Sequence, residues 1–194
     1  MSLVGFKAQN HPQQTRFRAK VNDEVDDRAT TLEVFGPLHE RFGFTVDVAA
    51  AAHNAKLTRF YDVDSDGLAQ SWAGERVWCN PPYSDIEPWV EKAWREWNNG
   101  ADLIVMLLPA NRTEQGWWHR WVETALRTKQ ADFSCEFLPG RIRFLRKGQT
   151  EIGPNERPPF GCCLLIWGES LCVAAASVPA PAAAASTLND KEKP

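Results

Sequence analysis

Arg76-Val77-Trp78-Cys79-Asn80-Pro81-Pro82-Tyr83 passes from a short apolar strand into a proline-locked loop, and the residues after it, from Ser84 or Glu87 to Asn98, have helical spacing. A strand, a rigid loop and a helix in that order set Asn80 to Tyr83 at the carboxyl end of a strand, where open α/β sheets place their ligand crevices. Each proline fixes its own φ and holds its predecessor extended, so the Asn80 side chain is pre-aimed. The loop offers an amide oxygen, a proline carbonyl and an aromatic face, a set that suits methyl transfer to a planar amino nitrogen. An amine conjugated to a base is a poor nucleophile, because its lone pair is delocalised into the ring. Hydrogen bonds from its two N–H groups to the Asn80 side-chain oxygen and the Pro81 carbonyl favour a pyramidal nitrogen, and so stabilise charge that develops only during transfer. Tyr83 is placed to stack on the base.

The 194 residues, 43% of them hydrophobic, suffice for one substantial core. A formal charge of −3 and a pI near 5.8 leave no overall basic field, so any contact with nucleic acid must come from a local patch. Cys79, Cys135, Cys162, Cys163 and Cys172 show no paired spacing, and neither a metal site nor a disulfide framework is expected. Cys162 and Cys163 should point to opposite faces of a strand. No run has the length of a membrane span or of a signal-peptide core, which points to a cytoplasmic protein without membrane contact.

Residues 1–26 are polar and read as a flexible arm; residues 174–194 are Ala/Pro-rich and read as a disordered tail. Between them, Thr30-Thr31-Leu32-Glu33 has capping-box form, and Leu32, Phe35, Leu38 and Phe42 make a helical stripe that Gly36-Pro37 should kink or restart. Phe44 to Val48 is a strand, followed by a small-residue loop, Ala49 to Ala52, that admits close approach of a ligand; His53 to Trp72 is irregular. Ile104 to Leu108 has the continuous apolar character of a central parallel strand. Trp117, Trp118, Trp121, Val122 and Ala125 mark another helix, and strands near Phe133 to Leu138, Arg141 to Arg146 and Phe160 to Trp167 complete a doubly wound, mostly parallel α/β domain over residues 27–173. Most tryptophans sit at core spacing; Trp72 and Trp78 are the better placed for stacking on a base.

Several segments together resemble the phage-type DNA N6-adenine methyltransferases. They are Phe42 to Ala50, Asn54-Ala55-Lys56, Asp66-Gly67-Leu68 with Trp72, Val77 to Tyr83, Leu107 to Thr113, and Gly140 to Phe144. The resemblance implies a single Rossmann-like methyltransferase domain, S-adenosylmethionine as methyl donor, no metal, and adenine in double-stranded DNA as acceptor, in a phage or prophage protein. It makes Asn80, Pro81, Pro82 and Tyr83 the amino-group motif. It sets Asp47 at the methionine or ribose end of the donor and Asp66 at its adenine, with Ala49, Asn54 and Thr30 also in the donor site. Arg112, from the matched Leu107 to Thr113 segment, falls on the DNA side. Two departures stand out. Where the family has Asp-Trp-x-Thr-Pro, this chain has Asp27-Arg28-Ala29-Thr30-Thr31, and no Gly-x-Gly loop follows Asp47.

Each assignment has a plainer rival. The rival for Asp47 is a cap of the segment after it, and for Asp66-Gly67 a turn. Arg141, Arg143, Arg146 and Lys147 form either a phosphate track, with Arg141 and Arg143 on one face of a strand, or the charged guard of an edge strand. At the level of function, methyl transfer to RNA or to a protein glutamine, or a catalytically idle DNA-binding module, stand as alternatives.

Overall fold

The computed structural model describes residue 26, residues 28–149 and residues 158–168. The rest of the expected arm, the tail, Cys172 and most of the far half of the loop after Lys147 lie outside the described residues. In chain order the elements are β1 (Arg28–Thr30), α1 (Leu32–Phe42), β2 (Val46–Asp47), β3 (Arg76–Cys79), α2 (Glu87–Asn98) and β4 (Leu103–Pro109). A π-helical segment, Trp118–Glu123, then runs into the short α3 (Thr124–Arg127), followed by β5 (Phe133–Phe137), β6 (Phe144–Arg146) and β7 (Cys162–Trp167).

Five strands form the main sheet in the order β2-β3-β4-β7-β5. The first three are parallel, but β7 runs antiparallel to both β4 and β5. The sheet is therefore mixed, not mostly parallel. The expectation failed because β7 is buried along its whole length, and a strand covered on both faces shows the same unbroken apolar run whichever way it points. Period-two alternation divides its residues between two cores. Val77, Cys79, Ile104, Met106, Cys163 and Leu165 face α2 and the π-helical segment. Trp78, Leu103, Val105, Leu107, Cys162 and Leu164 face α1. Cys162 and Cys163 thus do point to opposite faces, both as free, buried thiols.

The helix α1 runs through Gly36 and Pro37 without restarting. Pro37 can give no N–H to the Glu33 carbonyl, yet Phe35, Leu38 and Phe42 are buried, and Phe35 sits edge-on to Trp78 at 5.4 Å. Burial of that face, at about 25 cal/mol per Å² of apolar surface, outweighs one missing hydrogen bond. The Thr31 side chain makes no cap bond; its carbonyl accepts the Val34 and Phe35 N–H groups instead. Gly43, at φ 59°, turns the chain out of the helix.

The sheet has an outlier. β1 and β6 form their own antiparallel ribbon, pairing Arg28 with Arg146, Ala29 with Leu145 and Thr30 with Phe144. Because β6 begins only at Phe144, Arg141 and Arg143 lie in the loop before it, so strand alternation does not put them on one face. No helix among the described residues is long and apolar enough to cross a membrane.

Candidate active site

Since β2, β3 and β4 are parallel, their carboxyl ends lie side by side, and Asp47 is paired in register with Trp78, two residues before Asn80. A cavity of about 680 Å³ opens there. Its wall includes Asn80 and Pro82 from the loop after β3, Asp47 and Ala49 from the end of β2, and Asn54, Asp66 and Thr30. Seven residues singled out from sequence are thereby brought into one crevice, together with Lys147 at its rim. Pro81, Tyr83, Arg112, Arg141, Arg143 and Arg146 are not part of the wall.

Asn80 is fixed at both ends of its amide. Nδ2 donates to the Arg28 carbonyl at 3.2 Å, and Oδ1 accepts from the Tyr83 hydroxyl at 3.1 Å. The Arg28 carbonyl can only accept, so it dictates which end of the amide is nitrogen. Oδ1 keeps a second lone pair. The Tyr83 ring packs edge-on against Phe144 and Phe160, both at 6.1 Å, and burial pushes its hydroxyl well above the ordinary phenol range. Tyr83 stays a neutral donor to Asn80, a role that its position in the sequence did not reveal.

Asp47 is 3% exposed. Burial raises its carboxyl from 3.8 to about 6, against the pull of the Lys56 and Ala49 N–H groups and the Lys56 charge. Those two N–H groups reach Oδ2 at 3.0 Å and Oδ1 at 3.4 Å, so Asp47 both caps the segment after it and faces the cavity. The Asp66 backbone has φ 50°, a left-handed turn conformation that aspartate tolerates, and its Oδ1 accepts the Leu68 N–H at 3.1 Å. Turn and wall coincide in one residue. Next to it, a β-carbon on Gly67 would lie 2.0 Å from the Val48 carbonyl oxygen, so only glycine permits this closeness. Asn54 Oδ1 accepts the Ala51 N–H at 2.7 Å and holds the small-residue loop in shape.

Thr30 is 1% exposed, and its hydroxyl has no hydrogen-bond partner among the described residues although it borders the cavity. An orphaned buried hydroxyl needs a ligand or water to satisfy it. Sequence reasoning missed Arg28, Lys56 and Trp89, which also line the wall. Arg28 stands in the departure from the familiar pattern, and its contribution to Asn80 is a backbone carbonyl, which has no side-chain signature. Trp72 is wholly buried and cannot stack on a base; its indole donates to the Gly67 carbonyl at 3.0 Å. The Arg112 Nε is buried without a hydrogen-bond partner among the described residues. No group of three or more potential ligands for a metal ion occurs among them.

A family model described as DNA N-6-adenine-methyltransferase (Dam) matches residues 18–186. The chain is 31% identical over 133 residues to a DNA N-6-adenine-methyltransferase of Escherichia phage T1, an alignment covering 63% of this chain and 54% of the relative. It is 31% identical over 113 residues to a protein of the same name from Haemophilus phage HP1 (strain HP1c1), covering 57% of this chain and 64% of the relative. The chain thus spans between half and two thirds of these relatives' length. With the match extending over most of its residues, the chain belongs to the DNA N-6-adenine-methyltransferase (Dam) family.

Proposed function

We propose that this chain transfers a methyl group from S-adenosylmethionine to the N6 amino group of adenine in double-stranded DNA, as a phage or prophage protein acting in the host cytoplasm. The observation that carries this reading is the shared cavity: Asn80 of the amino-group motif and the acidic residues Asp47 and Asp66 open into the same space. In this reading a single Rossmann-like domain, residues 27–173, does the chemistry between a polar arm and an Ala/Pro-rich tail.

The wall suits this donor. Its methionine end carries an ammonium and its ribose two hydroxyls, which suit the Asp47 carboxylate; its adenine amine suits Asp66. The orphaned Thr30 hydroxyl favours a ligand packed along this wall. When bound, the donor supplies a sulfonium-activated methyl group. The chain supplies geometry. The adenine must leave the duplex stack to reach the cavity. Asn80 Oδ1 and the Pro81 carbonyl would then accept hydrogen bonds from the two N6 N–H groups, drawing the nitrogen toward tetrahedral geometry with its lone pair free for attack; as the new N–C bond replaces the methyl's bond to sulfur, one N6 proton would leave to water. Pre-aiming by Arg28 and Tyr83 means that no reorganisation is needed during transfer. Tyr83 is assigned to the face of the base, Pro82 to the rigidity of the loop. For the duplex we assign Arg112, Arg141, Arg143, Arg146 and Lys147 to phosphates, where they position without reading sequence.

Purified protein incubated with methyl-labelled donor and unmethylated DNA, followed by nucleoside analysis, tests the proposal. Label in N6-methyladenine is expected. Label in RNA or in protein glutamine would transfer the reading to one of the other acceptors, and donor or DNA binding without transfer would leave an idle binding module.

A further inference from the structure

The helix α2 carries two charges on the side away from solvent. Lys92 and Glu96 are each 4% exposed and pair at 2.8 Å, one helical turn apart. A buried ion pair adds little stability that well-packed apolar side chains would not match, so its energy does not explain it. Its partners do. Lys92 Nζ donates to the Gln70 carbonyl at 2.6 Å, and Glu96 Oε2 accepts the Trp72 N–H at 2.7 Å. Both are backbone groups of the irregular segment that precedes β3, where no ladder is present to satisfy them. Burial pushes the Glu96 carboxyl up, but the Lys92 ammonium and the Trp72 N–H outweigh it and hold it below the ordinary carboxylate range.

The same segment forms the acidic wall of the cavity. The Trp72 indole reaches back to the Gly67 carbonyl, the Gln70 side chain to the Ser65 carbonyl at 2.6 Å, and Gly67 rests on the Val48 backbone. We propose that Lys92 and Glu96 are positioning residues for the methyl donor: they clamp residues 70–72 to α2 and thereby set Asp66 and Gly67 against the donor site. This rests on the donor-site reading above.

The test compares S-adenosylmethionine affinity by calorimetry with turnover at saturating donor. In the Lys92→Met/Glu96→Met variant the fold should survive, since paired charges replaced by apolar side chains of similar size are commonly tolerated. The Gln70 carbonyl and Trp72 N–H lose their partners, and the donor Kd should rise about tenfold, as for one misaimed hydrogen bond. kcat at saturating donor and the KM for DNA should stay within about twofold of wild type. The Lys92→Met/Glu96→Gln variant, which restores an acceptor for the Trp72 N–H, should recover part of the loss. It also carries the test should the first variant not fold. A folded variant with wild-type donor affinity, or a kcat that falls in step with affinity, overturns the proposal. Wild-type protein that fails to bind the donor would overturn the donor site itself, a result separable from unchanged binding in the variants.

Discussion

Asn80 owes its aim to two residues of different kinds, a backbone carbonyl at Arg28 and a phenol at Tyr83. Tyr83→Phe keeps the ring between Phe144 and Phe160 but removes one hydrogen bond from Oδ1. At about 1 kcal/mol, kcat should fall roughly fivefold with donor affinity unchanged. A fall in DNA affinity without a fall in kcat would mean that the hydroxyl serves the base directly. Asp47 makes a prediction about pH. Its carboxyl titrates near 3.8 when unfolded and near 6 when folded, so the native state holds its proton more tightly. Its contribution to stability is present below the lower value and lost as pH rises through the higher one. Asp47→Asn should therefore gain on wild type in donor-free melting across that interval, by on the order of 3 kcal/mol. Donor affinity should show the reverse dependence, weakening in wild type as pH falls below about 6 and already weak in the variant. Parallel melting curves at all pH values would show that the carboxyl is not perturbed by burial. The sequence made Asn80 and Asp47 visible because side-chain chemistry is written there; it hid the Arg28 carbonyl, which any residue could have supplied.

Among the elements, the strand, rigid loop and helix around Asn80 were legible because Val77 to Cys79, the two prolines and the helical spacing of Trp89, Val90, Ala93 and Trp94 each act locally. The ribbon of β1 and β6 was legible only in part: β6 falls inside the strand expected over Arg141 to Arg146, but its pairing with the three residues of β1, more than a hundred positions earlier, leaves no periodic trace. The π-helical turn was not legible, because Trp118, Trp121 and Val122 fit ordinary helical spacing equally well. The 62–72 segment read as irregular, and it is, but its order comes from packing. Gly67→Ala tests this directly. The added carbon would meet the Val48 carbonyl oxygen at 2.0 Å, so the segment must shift off the β2 loop. A loss of about 1 to 3 kcal/mol in stability is expected, with weaker donor binding in the surviving fold. Unchanged melting and donor affinity would show that this wall is softer than its packing indicates.

For the whole molecule, the division of the sheet residues between two cores follows from alternation and was open to sequence reading; strand direction was not. The long return from β5 through β6 to β7 inserts an antiparallel strand beside β4, and only the tertiary path decides that. The net charge of −3 poses the question of how a polyanion is held. If Arg141 and Arg143 contact phosphates, replacing both with Gln should weaken binding to every DNA sequence alike and flatten the salt dependence by about two units. An unchanged slope would reassign the contact to Arg146 and Lys147, the latter at the cavity rim. In the proposed reading, one cavity has an amine end at Asn80 and a donor end at Asp47 and Asp66. The most direct measurement is Asn80→Ala assayed for single-turnover methylation of DNA and for donor affinity on the same preparation. The variant's rate should be at least about a hundredfold below wild type with an unchanged donor Kd, as expected for a group acting only in the transition state. A rate within threefold of wild type, or a loss explained by weaker donor binding, would contradict that reading.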